Sequence, residues 1–229
     1  MRIVVIIPAL NEQDAIGEVL RHIPASLRAE VIVVDNGSTD QTAQVATKHG
    51  ARVIREPRRG YGSACLAGLA AAGSPDLVVF LDGDASDVPE EMVSLVEPII
   101  QDRADLVIGS RMSGQRKPGA MAPHAVFGNK LFAVLLRLLY RQQATDLGPF
   151  RALRASALRR LQMKDCGFGW TAEMQAKAAR MKLRVVEVPV SYRRRIGKSK
   201  ISGSLWPSLQ AGWVITTTLL KIRFQPLPR

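Results

Sequence analysis

The chain is short of sulfur, of aromatics and of long apolar runs, and each shortage removes a class of answer. Two cysteines in 229 residues, Cys65 and Cys166, cannot build a disulfide scaffold or a four-thiolate metal site, and they suit a reducing, cytoplasmic compartment. Aromatic residues make up 5% of the chain and no RNA- or DNA-binding signature accompanies them, so nucleic acid is not expected as a partner. The apolar or neutral run from Ala211 to Leu220 is well short of the roughly 20 residues that span a bilayer. The opening MRIVVIIPALNE, with one Arg and a brief apolar run followed by acid, lacks the shape of a secretory signal. No P-loop is present, and GYGSAC lacks the third glycine of a dinucleotide-binding turn and does not follow the first strand.

Acid is the remaining shortage, and it is confined to one half. Residues 1–105 carry 9 Lys and Arg against 16 Asp and Glu, a net of −7; residues 106–229 carry 23 against 4, a net of +19; together they give +12. No acid follows Glu187, whereas eight basic residues do. Asymmetry of this kind marks a face for phosphorylated ligands or anionic lipid, or else a solvated basic surface.

What is present is globular: 47% hydrophobic and 23% charged residues, in a chain long enough to bury a full core. In the first half, apolar runs (RIVVIIP, EVIVVD, ARVIRE, DLVVFLD) alternate with helical patterns (Ile16, Val19, Leu20 and Ile23; TAQVATKHG; GYGSACLAGLAAAG; MVSLVEPII). Strands this uniformly apolar have no wet face, which predicts an α/β fold with a mostly parallel sheet flanked by helices on both faces. A further strand, DLVIGS, leads into a Gly- and basic-rich loop over residues 109–123. Beyond it, FGNKLFAVLLRLLY reads as a helix, GPFRALR as a short strand, WTAEMQAKAARM as a helix and LRVVEVPVSY as a strand, and SLWPSLQAGWVITTTLLKIRF closes the chain as an apolar helix.

Open parallel sheets place ligands beyond the carboxyl ends of their strands, so the residues after each apolar run carry the chemistry. In LVVFLDGDASD, a bend at Gly83 would turn Asp82 and Asp84 into one cleft, where with Ser86 they supply hard oxygen ligands for Mg2+ or Mn2+ on a diphosphate. The plain alternative is an Asp-Gly turn. An EF-hand is excluded, since Asp87 and Val93 stand where that loop needs Gly and Glu. In VVDNGSTDQT, Asp35 and Asn36 either cap the next helix or meet the ring nitrogens of a nucleobase. The run from Tyr192 to Lys200 carries five cations in nine residues, a solvated face or a clamp on a diphosphate.

Together these segments resemble the inverting family 2 glycosyltransferases of GT-A fold, and within them the dolichol- or polyprenyl-phosphate mannose synthase branch. IPALNE, VVDNGSTDQT, RRGYGSACLAGL, LDGDASD, GSR, TDLGPFRAL, GFGWTAEMQ and RRRIGKSK match that family's landmarks in order. The resemblance implies that Pro8, Leu10, Glu12, Asp35 and Asn36 line the nucleoside pocket, that Asp82, Asp84 and Ser86 hold the cation, and that Arg111, Arg194 and Lys200 contact the nucleotide phosphates or the acceptor. Asn36 departs from the second Asp common at its position. Glu173 falls where relatives acting on hydroxyls carry a catalytic acid, its plain alternative being a helix-surface Glu near Lys177. Where the synthase branch tends to have an Arg and a Ser that meet the acceptor phosphate, this chain reads AMAPHAVFGN, leaving His124 or Lys117 as substitutes.

The function expected is metal-dependent transfer of a hexosyl group, with inversion, from a GDP- or UDP-linked sugar to an acceptor, most simply a polyprenyl phosphate. Asp84, Glu173 and Arg111 are its candidate catalytic residues, Glu173 serving as base if the acceptor is a hydroxyl. The expected organisation is one domain over 1–229, with a nucleotide-binding half (1–108), an acceptor-side half (109–203) and an apolar, amphipathic C-terminal helix with its tail (204–229). The segments Phe127 to Tyr140 and Leu205 to Phe224, flanked by Lys130, Arg137, Arg141, Lys221 and Arg223 and carrying Trp206 and Trp213, have the composition of helices at the cytoplasmic face of a membrane, or of helices packed on the sheet or on another copy. Two rivals remain. DGDAS also satisfies the nucleophile loop of haloacid-dehalogenase-like phosphatases, though that loop normally opens its domain. A basic membrane- or nucleic-acid-binding module without catalysis is the other.

Overall fold

A computed structural model describes residues 1–197 and 205–225. Seven strands form one sheet: β1 (Ile3–Ala9), β2 (Glu30–Asp35), β3 (Arg52–Arg55), β4 (Leu77–Phe80), β5 (Leu106–Ser110), β6 (Arg151–Arg154) and β7 (Val185–Pro189), in the order β3-β2-β1-β4-β6-β5-β7. Four of the six pairings are parallel; β6 runs against both β4 and β5. The helices are α1 (Ile16–Arg21), α2 (Thr42–Lys48), α3 (Tyr61–Ala71), α4 (Met92–Ile100), α5 (Pro123–Tyr140), α6 (Ala155–Leu161), α7 (Trp170–Arg180) and α8 (Leu205–Phe224). The short α6, in the ASALRRL segment, was not anticipated from sequence.

Successive strand residues point to opposite faces, and here both faces are dry. Val5, Ile7, Val33 and Val79 pack with Ile16, Met92 and Leu95 on one side. Val4, Ile6, Ile32, Val34 and Phe80 pack with Ala64, Cys65, Trp170 and Met174 on the other. Trp170 meets Phe80 edge-on at 5.9 Å between ring centres. Burying each such side chain stabilises the fold by about 1.5–3 kcal/mol, which is why the strand identities were legible as apolar runs.

A third cluster lies off the sheet, where Phe132 and Leu136 of α5, Ala172 and Ala176 of α7, and Leu219 and Ile222 of α8 close on one another. The terminal helix is apolar on two sides: Leu219 and Ile222 are buried, while Trp213, Leu220 and Phe224 are exposed. Among the described residues no helix is long and apolar enough to cross a membrane.

Candidate active site

The carboxyl ends of β1, β2, β4 and β5 open into one cleft of about 740 Å³, lined by Pro8, Leu10, Glu12, Asn36, Asp82, Asp84 and Arg111 among others. The sheet order explains the convergence: β1 is central, with β2 and β4 as its parallel neighbours, so the segments that follow these strands emerge side by side. The cleft then continues away from the sheet between α5 and α8, past Gly128, Leu131, Leu135, Gly212 and Ile215.

Asp82 and Asp84 both line this cleft, as their spacing predicted. The chain turns at Gly83 and Asp84, between the two carboxylates. The left-handed residue of the loop is Ala85, at φ 60°, a conformation that costs a side-chain-bearing residue roughly 1–2 kcal/mol and is held by its surroundings. Burial and the adjacent Asp84 carboxylate push Asp82 up to about 7, and its Oδ1 is buried with no hydrogen-bond partner among the described residues. Ser86 is 2% exposed and donates its hydroxyl to Asp84 Oδ1 at 2.5 Å, with its backbone N–H on the same oxygen at 2.9 Å. In this arrangement Ser86 fixes the Asp84 carboxylate. Asp87 was passed over in the sequence; its two oxygens are buried without a partner, and burial pushes it well above the usual carboxylate range.

Arg111 lines the cleft from β5, held at both ends of its guanidinium by Asp146: Nε to Oδ2 at 2.8 Å and Nη2 to Oδ1 at 2.7 Å. Burial works against its charge, but Asp146 outweighs that and raises it further. Tyr192 supports the same guanidinium, its ring centre 5.0 Å away. Asp146 belongs to the TDLGPFRAL landmark and was not singled out; an acid among so few in that half was the available signal.

The basic run contributes a different residue from the one expected. Arg194 turns outward and donates to the Pro118 carbonyl at 2.9 Å. Arg195 instead enters the cleft, 3.0 Å from Glu12 Oε1 and 3.2 Å from Asp84 Oδ2. Lys200 and the side chain of Trp206 lie outside the described residues.

Two further residues take up structural duties. Asn36 reaches the cleft wall, where its amide grips the following loop: Nδ2 donates to the Glu56 and Arg58 carbonyls at 2.9 and 2.8 Å, and Oδ1 accepts from Gly60 N–H at 2.8 Å. Both of its donors are spent there, and the second lone pair of Oδ1 is left for a nucleobase. Asp35 uses Oδ1 to hold Ser38 N–H at 2.8 Å. Glu173 is 5% exposed and points into the protein, accepting from Lys164 N–H at 3.0 Å, from Asp165 N–H at 2.8 Å and from Lys177 Nζ at 2.6 Å. It is neither a surface residue nor a cleft base; it anchors the 164–168 loop. Gly60 and Gly62 receive that loop, since a Cβ there would stand 2.1 Å from the Cys166 carbonyl and 2.0 Å from that of Asp165. The glycine-containing helix start thus admits a neighbouring loop, and Gly167 and Phe168 of that loop line the cleft.

His124, one of the two substitutes the sequence offered for the acceptor-phosphate contact, lines the cleft from the start of α5, and its Nε2 is buried with no hydrogen-bond partner among the described residues.

A family model described as Glycosyl transferase family 2 matches residues 4–162. The chain belongs to this family. It is 42% identical over 212 residues to an uncharacterised glycosyltransferase of Mycobacterium bovis, covering 91% of this chain and 94% of that one. It is 34% identical over 201 residues to a dolichyl-phosphate hexose transferase of Haloferax volcanii, covering 86% and 85%. Among solved structures, glucosyl-3-phosphoglycerate synthase of Mycobacterium tuberculosis, in complex with Mn2+, UDP and glucosyl-3-phosphoglycerate, superposes with a TM-score of 0.78 at 26% identity, covering 98% of this chain and 81% of that one. The fold is therefore GT-A and the protein is a glycosyltransferase, which removes both the phosphatase and the non-enzymatic readings.

Proposed function

We propose that this glycosyltransferase moves a hexosyl group, with inversion, from a nucleoside diphosphate sugar to a polyprenyl phosphate at a membrane surface, with Mg2+ or Mn2+ as cofactor. The observation that carries this is the shape of the cleft: one continuous cavity with Asp82, Asp84 and Arg111 at one end and the apolar walls of α5 and α8 at the other. A charged donor headgroup and a lipid chain need those two environments in that sequence. The Haloferax volcanii relative, named for a dolichyl-phosphate acceptor, supports the acceptor class.

The donor set fits a hard divalent cation. Asp82 Oδ1 is buried with no partner, and Asp84 is oriented from behind by Ser86. Among the described residues no three His, Cys, Asp or Glu side chains converge. Two carboxylates with the remaining positions left to diphosphate and water are the usual arrangement for Mg2+. When bound, the cation would draw charge from the departing diphosphate. Pro8 and Leu10 pack against the nucleoside, Arg111 stays rigid against Asp146 and presents positive charge, and the acceptor oxygen attacks the anomeric carbon as its bond to the diphosphate breaks. A phosphate acceptor is already anionic and needs no base. The buried position of Glu173 is no obstacle to that route.

The outer face supports the membrane. Phe127, Leu131, Val134 and Leu138 are exposed at successive one-turn spacings along α5, and Trp213, Leu220 and Phe224 are exposed two turns and then one turn apart on α8, which packs beside it. Lys130, Arg137, Arg141, Lys221 and Arg223 are exposed around them and suit an anionic bilayer, at about 1 kcal/mol per basic residue near the surface.

A hydroxyl acceptor is the second reading, favoured by the unpartnered Nε2 of His124, a base in the cleft where Glu173 is not. Incubating the enzyme with UDP- and GDP-hexoses, with and without Mn2+, against undecaprenyl phosphate and 3-phosphoglycerate separates the two. The proposal expects metal-dependent sugar on the lipid phosphate; product on the hydroxyl acid alone would replace it with the second reading.

A further inference from the structure

The loop that carries the basic run is tied to the loop that carries the paired carboxylates. Arg193 N–H donates to the Ser86 carbonyl at 2.8 Å, and Ile196 N–H donates to the Asp84 carbonyl at 2.9 Å. Between these anchors, Arg195 extends into the cleft and bridges two acids from separate strand ends: Glu12, after β1, and Asp84, after β4. Its side chain is 24% exposed, and its Nε is buried without a hydrogen-bond partner among the described residues. The guanidinium therefore stands on Asp84 Oδ2, the oxygen left for a divalent cation once Ser86 holds Oδ1, and two positive charges at one carboxylate compete for it.

We propose that Arg195 is an exchangeable latch: it neutralises Asp84 and Glu12 when no divalent cation is bound, is displaced from Asp84 when one binds, and then serves the diphosphate that arrives with the metal. The inference rests on the reading of this cleft as a metal and diphosphate site. Arginine suits both states, because its planar fork matches a carboxylate pair and a phosphate equally well. The two backbone anchors keep the residue within reach of both while only its side chain moves.

One substitution gives two effects of opposite sign. In Arg195→Gln, Mn2+ alone, followed by electron paramagnetic resonance or calorimetry, should bind at least threefold more tightly than in the wild type, because its competitor is gone. UDP or GDP in saturating Mn2+ should bind about tenfold more weakly, because a phosphate partner is gone. Arg195→Lys keeps the charge but cannot span Glu12 and Asp84 together, and should tighten Mn2+ at least twofold; it carries the test if the glutamine variant does not fold. Unchanged or weaker Mn2+ binding in the folded variants overturns the latch while leaving the metal site standing. Absence of Mn2+ binding in wild type and variants alike, even with UDP or GDP present, overturns the metal reading and the latch with it.

Discussion

Along the ends of β1, β2 and β4 the polar side chains mainly hold backbone: Asn36 grips the 56–60 loop, Asp35 the turn at Ser38, and Asp84 the N–H of Ser86. Across the cleft the cations are held by carboxylates instead, Arg111 by Asp146 and Arg195 by Glu12 and Asp84. The first arrangement is a frame, because releasing any of those contacts leaves a polar group unsatisfied. The Arg111–Asp146 pair belongs to it, since that carboxylate is fully buried. On the proposal above only Arg195 is exchangeable, because a ligand's phosphate can take the place of a carboxylate. Fixed geometry therefore comes from both halves of the chain, and in the proposed reaction adaptation to the ligand resides in one basic residue.

Asp84→Asn tests the frame and should have the largest effect. Turnover should fall about 10²–10³-fold, the range seen when one preorganised electrostatic group is lost, while the melting temperature stays close to wild type. Retained turnover would break the comparison at its acidic side. Next in size, Glu173→Gln should lower stability by about 1–3 kcal/mol in denaturant titrations, since buried Lys177 and the 164–168 loop lose their anchor. Turnover at saturating acceptor should stay within about tenfold; a loss a hundred times larger at unchanged stability would restore Glu173 as a base. The joint change Leu131→Glu and Leu138→Glu should weaken co-sedimentation with anionic vesicles at least tenfold, roughly 1.4 kcal/mol, without unfolding the protein. Unaltered vesicle binding would assign the α5 stripe to something other than a membrane. Arg194→Ala should do least: an exposed cation on a backbone carbonyl contributes at most about 1 kcal/mol, so affinity for UDP or GDP should move no more than a few-fold. An effect equal to that of Arg195→Gln would make the basic run a diffuse field instead of one placed residue.

How much of this was legible follows from what each residue touches. The strands and the Asp82–Asp84 pair were readable because apolar runs fix a sheet and sheet order fixes which ends converge. Side chains that hold other groups were harder to read: Asn36, Ser86 and Glu173 look like ligands or a base in a linear motif, and only the fold shows the loops and the carboxylate they grip. The choice between Arg194 and Arg195 was beyond sequence reasoning, since neighbouring residues in an irregular loop diverge by dihedral angles that composition does not encode. Ala85 made the same point for the loop after β4, where the turn at Gly83 was legible and the left-handed alanine two residues on was not.

In the proposed reaction the acidic and basic halves of the chain act on one diphosphate. Calorimetric titration of UDP and GDP into the wild-type protein, with and without Mn2+, measures this directly. Nucleoside diphosphate should bind at least tenfold more tightly with Mn2+, and Asp84→Asn should lose that gain. Equal affinity with and without Mn2+ would contradict it.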